Sequence, residues 1–257
     1  MGRLLRLPLR SLGNICLPIL QGPLSGKRWL ASAGIHSFWL GVYEHQKQLA
    51  LGSFLHSGDV VLDIGAHAGY YSLLASDKVR PGGHVYAFEP LPQNLAYLQR
   101  HLSLNSVENV TVYSAAVSDR CGVAPFKEGF DSSTGRLDDE GRLMVSTVSL
   151  DELHRHRWIP LPDLIKIDVE GAELAVLEGA RQLLTAAHPT LFLALHSDEM
   201  RRACSELLSS LDYRLEPIDT DSPETASDLL ASSVAARRRP DGVPVAAAPA
   251  ENTEDHA

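Results

Sequence analysis

Short apolar runs alternate with amphipathic stretches through the middle of the chain. VVLDIG (60–65) is β-branched, apolar and closed by glycine, the pattern of a strand buried on both faces. HVYAFEP (84–90), VTVYSAAV (110–117), LIKIDV (164–169) and TLFLALH (190–196) repeat it. Between them the period changes to that of a helix. Residues 70–76 read as helix directly after the first strand. LPQNLAYLQRHLSLN (91–105) sets Leu91, Leu95, Leu98 and Leu102 on one face, with Pro92 near its start. AELAVLEGARQLL (172–184) turns Leu174, Leu177 and Leu184 inward, and a further helix is predicted over 201–211. Before the first strand, GVYEHQKQLALGSFL (41–55) reads as helix, with Leu49 and Phe54 among its apolar positions. Strands alternating with helices predict a doubly wound, mostly parallel α/β sheet. Residues 121–150 interrupt the alternation as a hairpin excursion between the third and fourth strands. LLASSVAARRR (229–239) reads as a last edge strand.

The 257 residues suit one large domain, and no internal repeat is visible. Residues 1–40, punctuated by Pro8, Gly13, Pro18 and Gly22-Pro23, are expected to be an irregular basic strap on the domain surface. The domain itself is expected over 41–239. Residues 240–257 are Pro/Ala-rich and polar, and are expected to be a disordered tail. The leucine-rich start imitates a targeting peptide, but its breaks leave no apolar run of the roughly 18 residues a spanning helix needs. Neither export nor stable membrane insertion is expected. Three widely spaced cysteines suggest neither a disulfide framework nor a zinc site, so a reducing cytoplasm is the default. A net charge of -9 argues against a grip on nucleic acid backbone.

The candidate chemistry lies where the strands end, because open parallel sheets bind ligands beyond their carboxyl ends. The first strand leaves through Asp63-Ile64-Gly65-Ala66-His67-Ala68-Gly69. A dinucleotide fingerprint needs G-x-G-x-x-G, so that backbone can approach a pyrophosphate. Here His67 occupies the central glycine position, and Asp63 brings negative charge two residues before Gly65. That acid is awkward beside phosphates and useful beside the cationic amino-acid end of S-adenosylmethionine. Glu89, closing the second strand, is placed for ribose hydroxyls, although NAD enzymes use an acid there too. The spacing therefore favours S-adenosylmethionine and leaves an NAD-dependent oxidoreductase as an alternative.

Strand alternation puts Lys166, Asp168 and Glu170 on one face. They form either an internal salt bridge or an active site, in which a carboxylate orients or deprotonates an acceptor hydroxyl. His196 ends the fifth strand at the same rim and has the titration range of a base. The three side chains Asp168, Glu170 and His196 are competent metal ligands, but no spacing demands a metal and none is expected. Ala116 and Val117 are candidates to line an adenine pocket, and Ser118 or Asp119 to reach the adenine amino group. The polar loop Phe130–Gly135 is a candidate cover for the acceptor, and Tyr43 and Glu44 for the cofactor.

VLDIGAHAGYYSLLA, VYAFEP, NVTVYSAAVSD and LIKIDVEGAE together resemble the FkbM-type family of S-adenosylmethionine-dependent methyltransferases. The resemblance runs in order from about residue 41 to 196, and GVYEHQ and VSLDEL extend it. One departure is His67, where the family usually carries asparagine. The resemblance implies a Rossmann-like class I methyltransferase fold, S-adenosylmethionine as cofactor, and O-methylation of a small-molecule or sugar-like acceptor. It places Asp63, Gly65, His67 and Gly69 around the cofactor's amino-acid end, Glu89 on its ribose, and Asp168 beside the methyl group. A cofactor-binding module that no longer catalyses is the alternative that His67 raises. Acceptor contacts are expected from the loop at 121–145 and the N-terminal strap.

Overall fold

The computed structural model describes residues 15–129, 135–218 and 226–233. An antiparallel ribbon, β1 (Cys16–Pro18) and β2 (Arg28–Leu30), leads into α1 (His36–Leu40) and α2 (His45–Phe54). The alternating core follows: β3 (Val60–Ile64), α3 (Tyr70–Lys78), β4 (His84–Phe88), α4 (Pro92–Leu104) and β5 (Val110–Tyr113). The excursion comprises β6 (Ala116–Val117), β7 (Gly122–Lys127), β8 (Arg136–Leu137) and β9 (Leu143–Val148). Then come α5 (Leu150–Arg155), β10 (Leu164–Ile167), α6 (Glu173–Glu178), α7 (Arg181–Ala187), β11 (Thr190–Ala194), α8 (Asp198–Ser210), β12 (Tyr213–Pro217) and β13 (Asp228–Ser233).

Seven strands form the central sheet in the order β12-β13-β11-β10-β3-β4-β5. All its pairings are parallel except the two that β13 makes. The chain order reverses between β3 and β10, and a crevice opens there at the carboxyl ends. Core lies on both faces. Val61 packs with Leu73, Leu74 and Leu98 on one side, while Leu62 and Ile64 pack with Leu177 and Leu184 on the other. That two-sided burial is why β10 and β11 are apolar at nearly every position.

Several expectations are corrected. β13 is not an edge strand: it lies between β11 and β12, and β12 takes the edge. VTVYSAAV does not form one strand. β5 stays in the central sheet, while β6 pairs with β9 in a separate four-stranded sheet. The predicted helix over 172–184 breaks near Gly179, where an added Cβ would stand 2.1 Å from the Ser118 carbonyl oxygen. In α2 the buried leucine is Leu51, and Leu49 is 48% exposed.

The described part of the strap is no mere surface covering. Ile19, Leu24 and Trp29 are wholly buried and belong to the main core. Trp29 stacks on the His101 ring with centroids 3.7 Å apart. His101 then joins two distant segments. Its Nε2 accepts from the Leu30 amide at 3.0 Å, so its Nδ1–H donates to the Ala68 carbonyl at 2.7 Å. This neutral tautomer satisfies both ring nitrogens. The ribbon is thereby tied to the turn that follows β3. The predicted tail at 240–257 lies outside the described residues.

Candidate active site

The β3 exit turn is held from both sides. The amides of Gly65 and Ala66 donate to the Phe88 carbonyl. Gly65 has φ +76, and a Cβ there would stand 1.9 Å from the Asp168 carbonyl oxygen, so only glycine lets β3 and β10 close at this point. His67 also has positive φ, at +51. Histidine, like asparagine, is among the few residues that enter this region readily. Gly69 packs against Leu98 at the start of α3.

Glu89 is buried and fixed by three donors. The His67 amide reaches Oε2 at 2.9 Å, and Oε1 accepts from the Leu91 amide at 2.9 Å and Asn94 Nδ2 at 3.2 Å. Burial raises its pKa, against the pull of those donors and Lys166. A carboxylate has about four lone-pair sites, so acceptor capacity remains beyond these three bonds. Glu89 faces a cavity open to solvent, with about 530 Å³ of free space. Phe88, Leu91, Ala116, Val117 and Phe126 supply its apolar wall, and Gly65, His67, Asp168 and Glu170 its far end. A second cavity, of about 440 Å³, shares those last four residues and is walled by Phe38, Tyr43, Tyr70, Tyr71 and Lys166. The two cavities therefore meet at the ends of β3 and β10.

Beneath that meeting point lies a buried charge network. Lys166 Nζ is 3.3 Å from Asp63, 3.6 Å from Asp168, and donates to the Gly65 carbonyl at 3.0 Å. Burial opposes the charge on Lys166, but the two carboxylates outweigh it and raise its pKa. Burial likewise opposes charge on Asp168, and Lys166, Lys47 and His196 together hold its carboxyl below the usual range. Lys47 is itself buried and paired with Asp228 at 2.6 Å. Glu170 is held at φ +57, an uncommon conformation for a side chain of this kind. His196 Nε2 stands 3.6 Å from Asp168 and 3.5 Å from Glu170, while Nδ1 lies 2.7 Å from Glu173. The Glu173 hydrogen bond raises the His196 pKa, burial opposes it, and Glu170 and Asp168 reinforce the rise.

Folding thus brings Gly65, His67, Glu89, Asp168 and Glu170 to the cavity walls and His196 beside the last two. Asp63 does not line either cavity: it accepts from Ser72 Oγ at 2.6 Å and pairs with Lys166. Ser118 and Asp119 also fall outside both walls, with Ser118 Oγ bonded to Asp119 and Asp119 paired with Arg120. The wall at that level is Ala115–Val117, because the chain leaves the central sheet there. Lys166 and Asp168 form the internal salt bridge, and Asp168 also lines both cavities. Tyr43 lines the smaller cavity, and Glu44 accepts from the Tyr71 hydroxyl. Of the loop Phe130–Gly135, positions 130–134 lie outside the described residues, and Gly135 lines the larger cavity. Sequence reasoning missed Glu173 and Asn94. Each sits three to five residues from a candidate acid on the following helix, which was the available signal.

A parallel-rich α/β sheet with one reversed strand beside its edge, and a cavity closed by an acid after β4, defines the class I methyltransferase fold. The methyltransferase FkbM domain model matches residues 63–215, more than half of the chain, and the protein belongs to that family. It is 29% identical over 160 residues to the hexuronic acid methyltransferase AglP of Haloferax volcanii, covering 62% of this chain and 64% of that one. It is 31% identical over 172 residues to the 31-O-demethyl-FK506 methyltransferase FkbM of Streptomyces tacrolimicus, covering 54% and 65%. The chain thus spans just under two thirds of these relatives' own lengths. A crystal structure of methyltransferase FkbM from Methylobacillus flagellatus matches with a TM-score of 0.51 at 22% identity, covering 68% of this chain and 43% of that one. At that identity the likeness concerns the fold. No described helix is long and apolar enough to cross a membrane.

Proposed function

We propose that this protein is an S-adenosylmethionine-dependent O-methyltransferase acting on a hydroxyl of a sugar-like acceptor. The observation that carries the reading is the meeting of two cavities at Gly65, His67, Asp168 and Glu170. The larger has an apolar slot for an adenine and, at Glu89, spare acceptor capacity for ribose hydroxyls. The residues fit the cofactor in kind: among the described residues no lysine or arginine lines that cavity to greet a phosphate, and carboxylates stand at the end where a sulfonium would be favoured. Phe88, Leu91, Ala116 and Val117 would hold the adenine, Glu89 the ribose, and the Gly65–His67 turn the amino-acid end. Asp63 acts through Lys166 as a positioning residue. Bound S-adenosylmethionine supplies a methyl carbon on a sulfonium sulfur, which keeps the electron pair when the methyl passes to the acceptor oxygen.

The protein's own part is binding, orientation and proton management. Holding two reactants in line supplies much of such a rate. Asp168, kept ionised by its cationic neighbours, is better suited to orienting a hydroxyl than to taking its proton at neutral pH. The acceptor hydroxyl would sit at the rim formed by Asp168, Glu170 and His196, from which its proton can leave to solvent. Aromatic rings and carboxylates together in the smaller cavity suit a carbohydrate, whose ring presents C–H faces and whose rim presents hydroxyls. The relative named for hexuronic acid methylation supports the same choice.

Calorimetric titration with S-adenosylmethionine, S-adenosylhomocysteine and NAD tests the cofactor half. Binding of both adenosyl compounds with NAD silent is expected, and binding of NAD alone would replace this reading with the oxidoreductase one. A screen of uronic acid and neutral sugar acceptors with methyl-labelled cofactor tests the other half. Cofactor binding without label transfer to any sugar would leave a binding module or another acceptor class.

A further inference from the structure

Asp168, Glu170 and His196 each offer a ligand atom, and these atoms all lie within 4.8 Å of one another. His196 Nε2 stands 3.6 Å from Asp168 Oδ1 and 3.5 Å from Glu170 Oε2. Neighbouring ligands of an octahedral ion with bonds near 2.1 Å stand about 3.0 Å apart. A closure of about half an ångström by three half-buried or exposed side chains would bring His196 to that spacing from both carboxylates. Two carboxylates and an imidazole suit a borderline first-row divalent ion better than calcium.

A separate residue supports the assignment. Glu173 is wholly buried and lies 2.7 Å from His196 Nδ1. That contact turns Nε2 toward Asp168 and Glu170, and a carboxylate behind the imidazole is the support metal-binding histidines carry. Its other oxygen, Oε2, is buried with no hydrogen-bond partner among the described residues. A buried carboxylate half unmet is costly and calls for positive charge close by. Carboxylates outnumber the protein cations gathered here. Asp63, Asp168, Glu170 and Glu173 gather around Lys166 and His196, and Lys47, which also acts on Asp168, is shared with Asp228 at 2.6 Å and Glu44 at 3.7 Å.

We propose that Asp168, Glu170 and His196 form a divalent-cation site of the Mn²⁺ type, at the rim where the acceptor hydroxyl is bound. From the sequence these three are competent ligands at one rim, and no metal is expected because no ligand spacing demands one; the β10–β11 pairing brings the two strand ends side by side. With three protein ligands the ion keeps open positions for water or for adjacent hydroxyls of an acceptor. Coordination lowers the pKa of a bound hydroxyl, whose proton then passes to solvent. This role rests on the O-methylation reading; the site itself does not.

The test is titration of chelator-treated full-length protein with Mn²⁺, following free Mn²⁺ by electron paramagnetic resonance. One saturable Mn²⁺ per chain is expected. Glu170→Gln and His196→Ala should each weaken it by at least about 10- to 100-fold, the cost of losing only a partner that supports a ligand. Thermal melts check that both variants fold, and the near-isosteric Glu170→Gln decides the matter if the histidine variant does not. Absence of saturable binding to the wild type, or binding that neither variant alters, would overturn the site. Calorimetry with S-adenosylmethionine on the same samples reads the functional proposal separately, so its failure leaves the Mn²⁺ result intact.

Discussion

Lys166→Met tests whether the charge network under the cavity is a structural necessity. Lys166 is 3% exposed and Asp63 1% exposed, so neither charge has solvent to fall back on. The substitution nearly keeps the side-chain length but removes the partner of Asp63 at 3.3 Å, a partner of Asp168 at 3.6 Å, and the donor to the Gly65 carbonyl. Breaking a buried pair by removing one member costs about 3–5 kcal/mol, mostly from the charge left behind. For a domain of this size, about 2–4 °C of melting temperature per kcal/mol gives a fall of about 6–20 °C. Adding Asp63→Asn to Lys166→Met should recover part of that loss, because the stranded charge is then gone and the Ser72 bond to this residue can persist. A coupling of about 2–3 kcal/mol is expected in the double-mutant cycle, within the range seen for residues in one network. Urea denaturation of the four proteins at pH 7 measures it. A cost below about 1 kcal/mol for the single variant, or strict additivity, would refute the reasoning, because an exposed or unpaired lysine would behave that way.

Three further expectations follow from the same geometry. Glu89→Gln should fold and bind S-adenosylmethionine about 10- to 100-fold more weakly, the scale of one lost hydrogen bond to a charged group; unchanged calorimetric affinity would remove Glu89 from the ribose assignment. His67→Asn should keep cofactor affinity within about threefold, whereas His67→Val should cost about 1–2 kcal/mol of stability from a β-branched residue at φ +51. A large affinity gain in the asparagine variant would mean that the imidazole obstructs the cavity. Burial holds the His101 pKa at about 4 in the folded protein. The unfolded value is about 6.5, so stability is fully present above that pH and is lost as pH falls toward 4, by up to about 3 kcal/mol. The stability advantage of wild type over His101→Gln should therefore narrow between pH 7 and pH 4, and a constant gap in urea titrations would contradict it.

Much of this protein was legible in the order of its residues. Short, β-branched apolar runs closed by glycine or an acid read as strands covered on both faces, because a half-exposed strand would alternate. The recurring leucines in 91–104 could only be a helix, and Leu95, Leu98 and Leu102 are buried as that face requires. Gly65 and Glu89 could be placed at the carboxyl ends of β3 and β4 from the sequence, and both line the larger cavity. What the sequence could not supply was anything fixed by distant partners. Whether Leu229 lies on an edge or inside the sheet depends on Tyr213–Pro217 arriving to cover it, and no local pattern encodes that arrival. Ala116 and Val117 continue an apolar run yet leave the sheet, because Thr147 and Val148 offer them a different ladder. Trp29 read as part of a surface strap until His101, far along the chain, gave its ring a buried surface to stack on. Asp63 read as a ligand-facing acid until Lys166 came within 3.3 Å of it from the neighbouring strand. Local periodicity sets which face of an element is apolar. Burial of charge, the choice of strand neighbours and the distances among Asp168, Glu170 and His196 are set by contacts between residues far apart in the chain, and only the folded arrangement decides them.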